Sequence, residues 1–314
     1  VTRQLLRPER PERSFRARGS AVSSAFGTFG ELLQGALPEG PDFLVTLPIA
    51  RWSTAAFEYD GSREDVETFP ATKTKARRVA EAVLARHAAG GGGSLRLSGS
   101  LPEGRGLASS SADLVATARA VAGAIGLDMP PTLIEDLLRP IEPTDGVMYP
   151  GVVAFDHREV RHRRSLGILP PMTIVGIDEG GPVDTVAFNA IPKNFTDRDR
   201  EEYAALLAEL GTAVAAADNA AIGRIATRSA HLNQRLCPKR SLHAMTALSA
   251  ELGGVGVVAA HSGSAIGLLL PQDVPDYRSR LAEAIRRCRQ LVHSQQLLCC
   301  QTLDLDPAGI GVEL

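Results

Sequence analysis

The segment Pro102-Glu103-Gly104-Arg105-Gly106-Leu107-Ala108-Ser109-Ser110-Ser111-Ala112 gathers the residue types best suited to holding an anion. Two glycines let the backbone approach a ligand closely, and three consecutive serines place hydroxyls where a helix opens. The first amides of a helix and its dipole favour negative charge at that spot, so the expected guest is a phosphate. A serine-capped helix behind an ordinary turn would need only one glycine and one serine. The segment is not a Walker loop, because no lysine follows Gly106, and it is not the GxGxxG dinucleotide fingerprint. Other chemistries find less support. Cys237, Cys288, Cys299 and Cys300 lack the CxxC spacing of a zinc site and read as structural. His157 and His162 sit among arginines and read as a solvated edge, so no transition-metal centre is expected.

The turn also resembles the central Pro-x-x-x-Gly-Leu-x-Ser-Ser-Ser-Ala motif of the GHMP kinase superfamily, which includes galactokinase, homoserine kinase, mevalonate kinase and phosphomevalonate kinase. Near the N-terminus, Gly30-Glu31-Leu32-Leu33-Gln34-Gly35 resembles the Gly-Glu-Leu-x-Gln-Gly signature of the bacterial L-threonine kinases, a branch serving cobalamin side-chain assembly. Leu47-Pro48-Ile49, Trp52-Ser53-Thr54, Ile141-Glu142-Pro143-Thr144-Asp145-Gly146 and the stretch from Asn233 to Lys239 fit the same branch. His261-Ser262-Gly263-Ser264-Ala265-Ile266-Gly267 is similar to the third superfamily motif.

The resemblance implies a two-lobed α+β GHMP kinase fold with antiparallel sheets backed by helices. It also implies ATP and Mg2+, and transfer of the γ-phosphoryl group to the hydroxyl of L-threonine, giving O-phospho-L-threonine and ADP. Homoserine, serine or another hydroxylated intermediate is the rival acceptor. A ligand sensor that has lost turnover is the rival from a different class; retention of the serines and acids speaks against it.

Phosphoryl transfer needs a phosphate cradle, a cation against the developing charge and a group that orients the attacking hydroxyl. Pro102, Gly104, Gly106, Leu107, Ala108, Ser109, Ser110 and Ser111 are the expected ATP contacts, with Ser111 also a magnesium ligand. A carboxylate should complete the metal site, and both Glu135 and Glu142 are open for it, since magnesium prefers oxygen donors. Asp145, between Thr144 and Gly146, could act as general base on the substrate hydroxyl, or could simply form an Asp-Gly turn. Glu31 is expected to grip the substrate's ammonium or hydroxyl, with Thr144, Ser262 and Gly263 shaping the cleft. For an amino-acid carboxylate, Arg235, Lys239 and Arg105 are the available cations, with Arg235 included in the expected site.

These residues must be carried by elements in a particular order. Short antiparallel strands are expected over Gly19–Phe29, Phe43–Thr46 and Ser53–Tyr59, separated by turns. Ala76, Val79, Ala80, Val83 and Leu84 recur at helical spacing, so a helix is expected over Thr72–Ala89, stopped by the glycine run from Gly90. A strand over Ser94–Leu101 then feeds the turn, and a helix over Ala112–Ile125 leaves it. Further helices are expected over Pro131–Leu138, 197–218, 219–236, Ser241–Leu252 and Val274–Cys288, with strands within 152–177, 253–270 and near Leu298–Leu305. Residues 1–18 read as an arm, 19–165 as an N-terminal lobe holding the phosphate turn, and 166–314 as a C-terminal lobe.

The 314 residues suffice for two such lobes, and 34 basic residues nearly cancel 36 acidic ones, with no long block of one sign apart from the arginine-rich start and the cluster Arg158 to Arg164, so no nucleic-acid partner is expected. No apolar run approaches the roughly 18 to 20 residues of a membrane helix, and no apolar stretch follows the N-terminal arginines, so no membrane partner and a cytoplasmic location are expected. A homodimer is compatible with the sequence and not dictated by it.

Overall fold

The computed structural model describes residues 18–87, 90–180, 193–292 and 297–304. The expected N-terminal arm lies outside these residues except for Arg18. A single ten-stranded sheet organises the chain, in the order β10-β7-β9-β8-β1-β2-β4-β3, with β5 paired to β2 and β6 to β5. Among the described residues seven helices accompany it, none long and apolar enough to cross a membrane.

The first correction concerns the beginning of the chain. Instead of short strands there are two 19-residue ones, β1 (Arg18–Ala36) and β2 (Asp42–Asp60), forming one long antiparallel hairpin. Its pairing shifts at Phe26/Gly27, Thr28/Glu31 and Glu31/Leu33, so the ribbon bends where the sequence suggests a turn. Gly30 makes the bend possible: its φ is +55°, and a Cβ there would lie 2.6 Å from the Ala259 carbonyl oxygen. Beyond the bend β1 meets β8 (Gly256–Ala259), with Glu31 opposite Ala259. One hairpin thereby joins both halves of the sheet and delivers Glu31 to the junction.

On one side of the bend, β2 pairs with β4 (Gly92–Gly99), and β3 (Val66–Phe69) adds parallel to β4. The sequence reading misses β3, a strand of only four residues; helix α1 (Thr74–Arg86) is the crossover that permits its parallel pairing. The helical spacing is realised on α1, which buries Ala76, Val79, Ala80, Val83 and Leu84. Burying each valine or leucine contributes about 1.5 to 3 kcal/mol. They pack with Phe57, Leu95, Val115 and Val121 in the core under α1, α2 (Ser109–Ala124) and α3 (Pro131–Leu138).

β5 (Val152–Asp156) and β6 (Arg161–Gly167) follow, then β7 (Met172–Asp178), which pairs with β9 (Ala265–Pro271) and β10 (Leu297–Gln301). A second core joins Phe29, Leu32 and Leu33 of β1 to Tyr203 of α4 (Asp197–Ala215) and Ile222 of α5 (Asn219–Asn233). A third lies between β7, β9 and the helices α6 (Leu242–Glu251) and α7 (Tyr277–Leu291). Beyond β10, Thr302 bridges back to Ile49 of β2, which curls the sheet around the second core.

Candidate active site

The phosphate turn lies between β4 and α2, and its backbone is shaped for close approach. Gly104 and Gly106 have φ of +70° and +84°, and Ala108, the residue before α2, is left-handed at +55°. A side chain on Gly106 would collide with Ala260, whereas glycine lets its carbonyl accept a hydrogen bond from Gly30 N–H at 3.0 Å. Leu107 O likewise accepts from Thr28 N–H at 3.2 Å. The bend of β1 and the turn therefore brace each other. No side-chain hydrogen bond caps α2, and uncapped opening amides of a helix suit an anion.

One cleft is lined by Gly104, Gly106, Leu107, Ala108 and the three serines on one wall, and by Glu142, Pro143, Thr144 and Asp145 on another. Glu31, Lys75, His157, His261 and Ser262 complete it. Six parts of the chain separated by up to 230 residues thus converge, as the hydrogen bond from His261 N–H to Glu31 Oε2 (2.5 Å) shows directly.

Within the cleft, Ser111 Oγ accepts from Asp145 N–H at 3.1 Å and lies 3.4 Å from its Oδ2. Loss of solvent pushes the Asp145 carboxyl up to about 6, with the charge of Glu142 adding to the effect and Ser111 opposing it. Glu31 is pushed well above the ordinary carboxylate range, first by burial and then by Asp145; the His261 N–H bond, Lys239 and Lys193 act the other way. Glu142 ion-pairs with Lys75 from the start of α1 and accepts from Ser110 Oγ at 2.5 Å. Burial, followed by His157, Lys193, Lys239 and Arg158, holds the His261 imidazole well below its usual value and therefore neutral.

A second hollow on the other flank of the turn shares Gly104, Ser109, Ser110 and Lys75 and adds Lys73, Glu103 and Asp113. Lys73 bridges the turn to α2 by pairing with Glu103 and with Asp113, the latter at 2.6 Å. The turn is therefore a partition with a lysine on either side.

The structure brings most of the expected residues together and leaves four apart. Pro102 and Gly263 do not line the cleft; Gly263 packs its backbone against Arg105 and Gly106. Glu135 is buried on α3, where it accepts from Tyr149 Oη at 2.9 Å and His162 N–H at 2.7 Å. Arg235 is exposed and paired with Asp199 at 3.1 Å. The other two cations considered for a carboxylate are also engaged away from the cleft wall: Arg105 with Asp178, and Lys239 with the sulfur and carbonyl of Cys237.

Four residues escaped the sequence reading. His157 is not on a solvated edge; it is 3 % exposed, with its ring 5.0 Å from that of His261. Its neighbouring arginines misled the reading, because alternation in β5 and the following turn decides which of them faces out. His261 stood in a quoted motif without a role. Lys75 looked like one more charge on an amphipathic helix, and Lys193 carried no pattern signal at all.

The comparisons with known proteins agree with this geometry. Residues 74–150 match the family described as GHMP kinases N terminal domain, a stretch running from α1 through the turn to the Asp145 loop. An L-threonine kinase of Salmonella typhimurium is 29 % identical over 280 residues, covering 84 % of this chain and 88 % of the relative. One from Citrobacter freundii is 27 % identical over 265 residues, covering 82 % and 88 %. Among solved structures, homoserine kinase from Cytophaga hutchinsonii superposes with a TM-score of 0.65 at 15 % identity, over 94 % of this chain and 98 % of that one. L. major mevalonate kinase in complex with R-mevalonate gives 0.64 at 14 % identity, over 93 % and 98 %. At such identities the structures speak for the fold alone. With the relatives beside them, residues 74–150 form a GHMP kinase N-terminal domain, and the chain is an ATP-dependent kinase that phosphorylates a hydroxyl group.

Proposed function

We propose that the acceptor is L-threonine and the products are O-phospho-L-threonine and ADP. Two L-threonine kinases aligned over more than four fifths of the chain support this acceptor. The observation that carries the reading is the meeting of Ser111, Asp145 and Glu31 in one cleft at the opening of α2. The amides and hydroxyls of Gly104 to Ser111 cradle the phosphates, with Lys75 as the nearby cation. Asp145, raised toward neutrality yet held by Ser111, takes the proton of the attacking hydroxyl. Glu31 receives the substrate's ammonium, and the arriving positive charge favours its ionised form.

Magnesium suits the donor set, which offers a carboxylate and two hydroxyls, all hard oxygen ligands. Glu142, with Ser110 and Ser111, would hold it. Glu135 is less suited because Tyr149 and His162 already engage its Oε1. When bound, the metal neutralises charge on the transferring phosphoryl group.

The test is ADP release with L-threonine, L-homoserine, L-serine and R-mevalonate as acceptors. L-Threonine should give the highest kcat/KM. A clear preference for homoserine would move the acceptor assignment, and ADP release that no acceptor stimulates would favour a binding protein on this fold.

A further inference from the structure

A phosphate cradle binds most tightly when its backbone is fixed before the ligand arrives, and this one has left-handed glycines on both sides of Arg105. Three of its carbonyls are held from behind: that of Leu107 by Thr28 N–H, that of Gly106 by Gly30 N–H and that of Arg105 by Ala265 N–H at 3.2 Å. The first two anchors belong to β1 and the third to β9. Where β9 pairs with β7, Ala265 stands opposite Asp178, and the Asp178 carboxylate ion-pairs with the Arg105 guanidinium. One rung of the sheet therefore grips Arg105 twice, by its carbonyl and by its side chain. Asp178 is 1 % exposed, and its Oδ1 accepts from Ser264 Oγ and from Gly180 N–H at 2.9 Å, which leaves Oδ2 for Arg105. Gly263 closes the contact, since a Cβ there would lie 2.3 Å from the Arg105 carbonyl oxygen. Arg105 itself does not line the cleft.

We propose that Arg105 is a positioning residue for the nucleotide: its ion pair with Asp178 fastens the phosphate turn to the β7–β9 part of the sheet and so preorganises the amides that hold the phosphates. This rests on the cradle proposed above at Gly104 to Ser111 and names what holds it in shape. Without the pair the nucleotide would have to order the turn on binding, which is worth about tenfold in affinity. Glu31 and Asp145 are carried by β1 and by the loop before β5, so acceptor recognition should be spared.

The experiment measures the Kd of MgADP by titration calorimetry, and the KM of the acceptor, for Asp178→Asn, Arg105→Met, the double variant and Arg105→Lys. Asp178→Asn is the variant surest to fold, because the arginine it leaves unpaired has a side chain 27 % exposed and can meet water. Asp178→Asn and Arg105→Met should each weaken MgADP about tenfold while the acceptor KM changes by less than about twofold. The double variant should be no weaker than either single one, since the two side chains act as a unit, and Arg105→Lys should recover most of the affinity by keeping the charge. A purely structural pair would lower Tm without this split between nucleotide and acceptor. Unchanged MgADP affinity in both single variants overturns the proposal, as do losses that add in the double variant or a lysine variant as weak as the methionine one. A loss in Arg105→Met far beyond that in Asp178→Asn also overturns it, because the guanidinium would then be contacting the phosphates itself. Ser111→Ala in the same titration separates the two readings. If it weakens MgADP while Asp178→Asn does not, the cradle stands and the brace falls; if neither does, both fall.

Discussion

Asp145 owes its proposed role to where its carboxyl sits, between Ser111 and the charge of Glu142. With its pKa pushed up to about 6, it is ionised and competent as a base above that pH and protonated below it. The kcat/KM for the acceptor should therefore rise with pH through about 6. Asp145→Asn should remove that limb and lower kcat by about 10² to 10⁴ while nucleotide affinity stays near normal. A loss below about tenfold, or an unchanged acid limb, would assign the limb elsewhere and leave Asp145 as a positioning group. Asp145, Ser111 and Glu31 were legible in the sequence because each stands inside a contiguous run of glycine, serine or proline whose chemistry is local. Lys193 and His157 were not. Their meaning comes from residues more than 60 positions away, and burial of a lysine or histidine is decided by long-range packing that no local pattern encodes.

The same contrast separates the elements. α1 and α3 could be placed because their apolar periodicity and the flanking glycines or prolines act over a few residues. The β1–β2 hairpin was read as fragments, since Gly27, Gly30 and Pro48, which break ordinary strands, here sit at bulges that bend a continuous one. The helices on the far side of the second core can be weakened without touching the chemistry. Asp218 caps α5 by accepting from Ala221 N–H at 2.9 Å, and it lines neither the cleft nor the hollow beside it. Asp218→Ala should cost about 1 kcal/mol and lower Tm by roughly 2 °C. Its kinetic constants should match the wild type; a changed KM for either substrate would show that α5 helps to set the cleft.

At the scale of the whole molecule, the long hairpin, the parallel β3–β4 addition and the bridge from Thr302 to Ile49 produce a sheet curled so that the turn, the Asp145 loop and the His261 segment face one another. Solved structures sharing this fold at 12 to 16 % identity include kinases and a mevalonate diphosphate decarboxylase, so architecture does not choose the acceptor. The choice lies in the side chains of the cleft. The central claim is that the serine turn hands the γ-phosphoryl group of ATP directly to an amino-acid hydroxyl. Single-turnover transfer measures this most directly, with excess enzyme mixed with γ-32P-ATP, magnesium and L-threonine. The label should appear in O-phospho-L-threonine as the first product, and Ser111→Ala should slow its appearance by about 10². Label released only as inorganic phosphate, or a Ser111→Ala variant that transfers at the wild-type rate, would contradict the account.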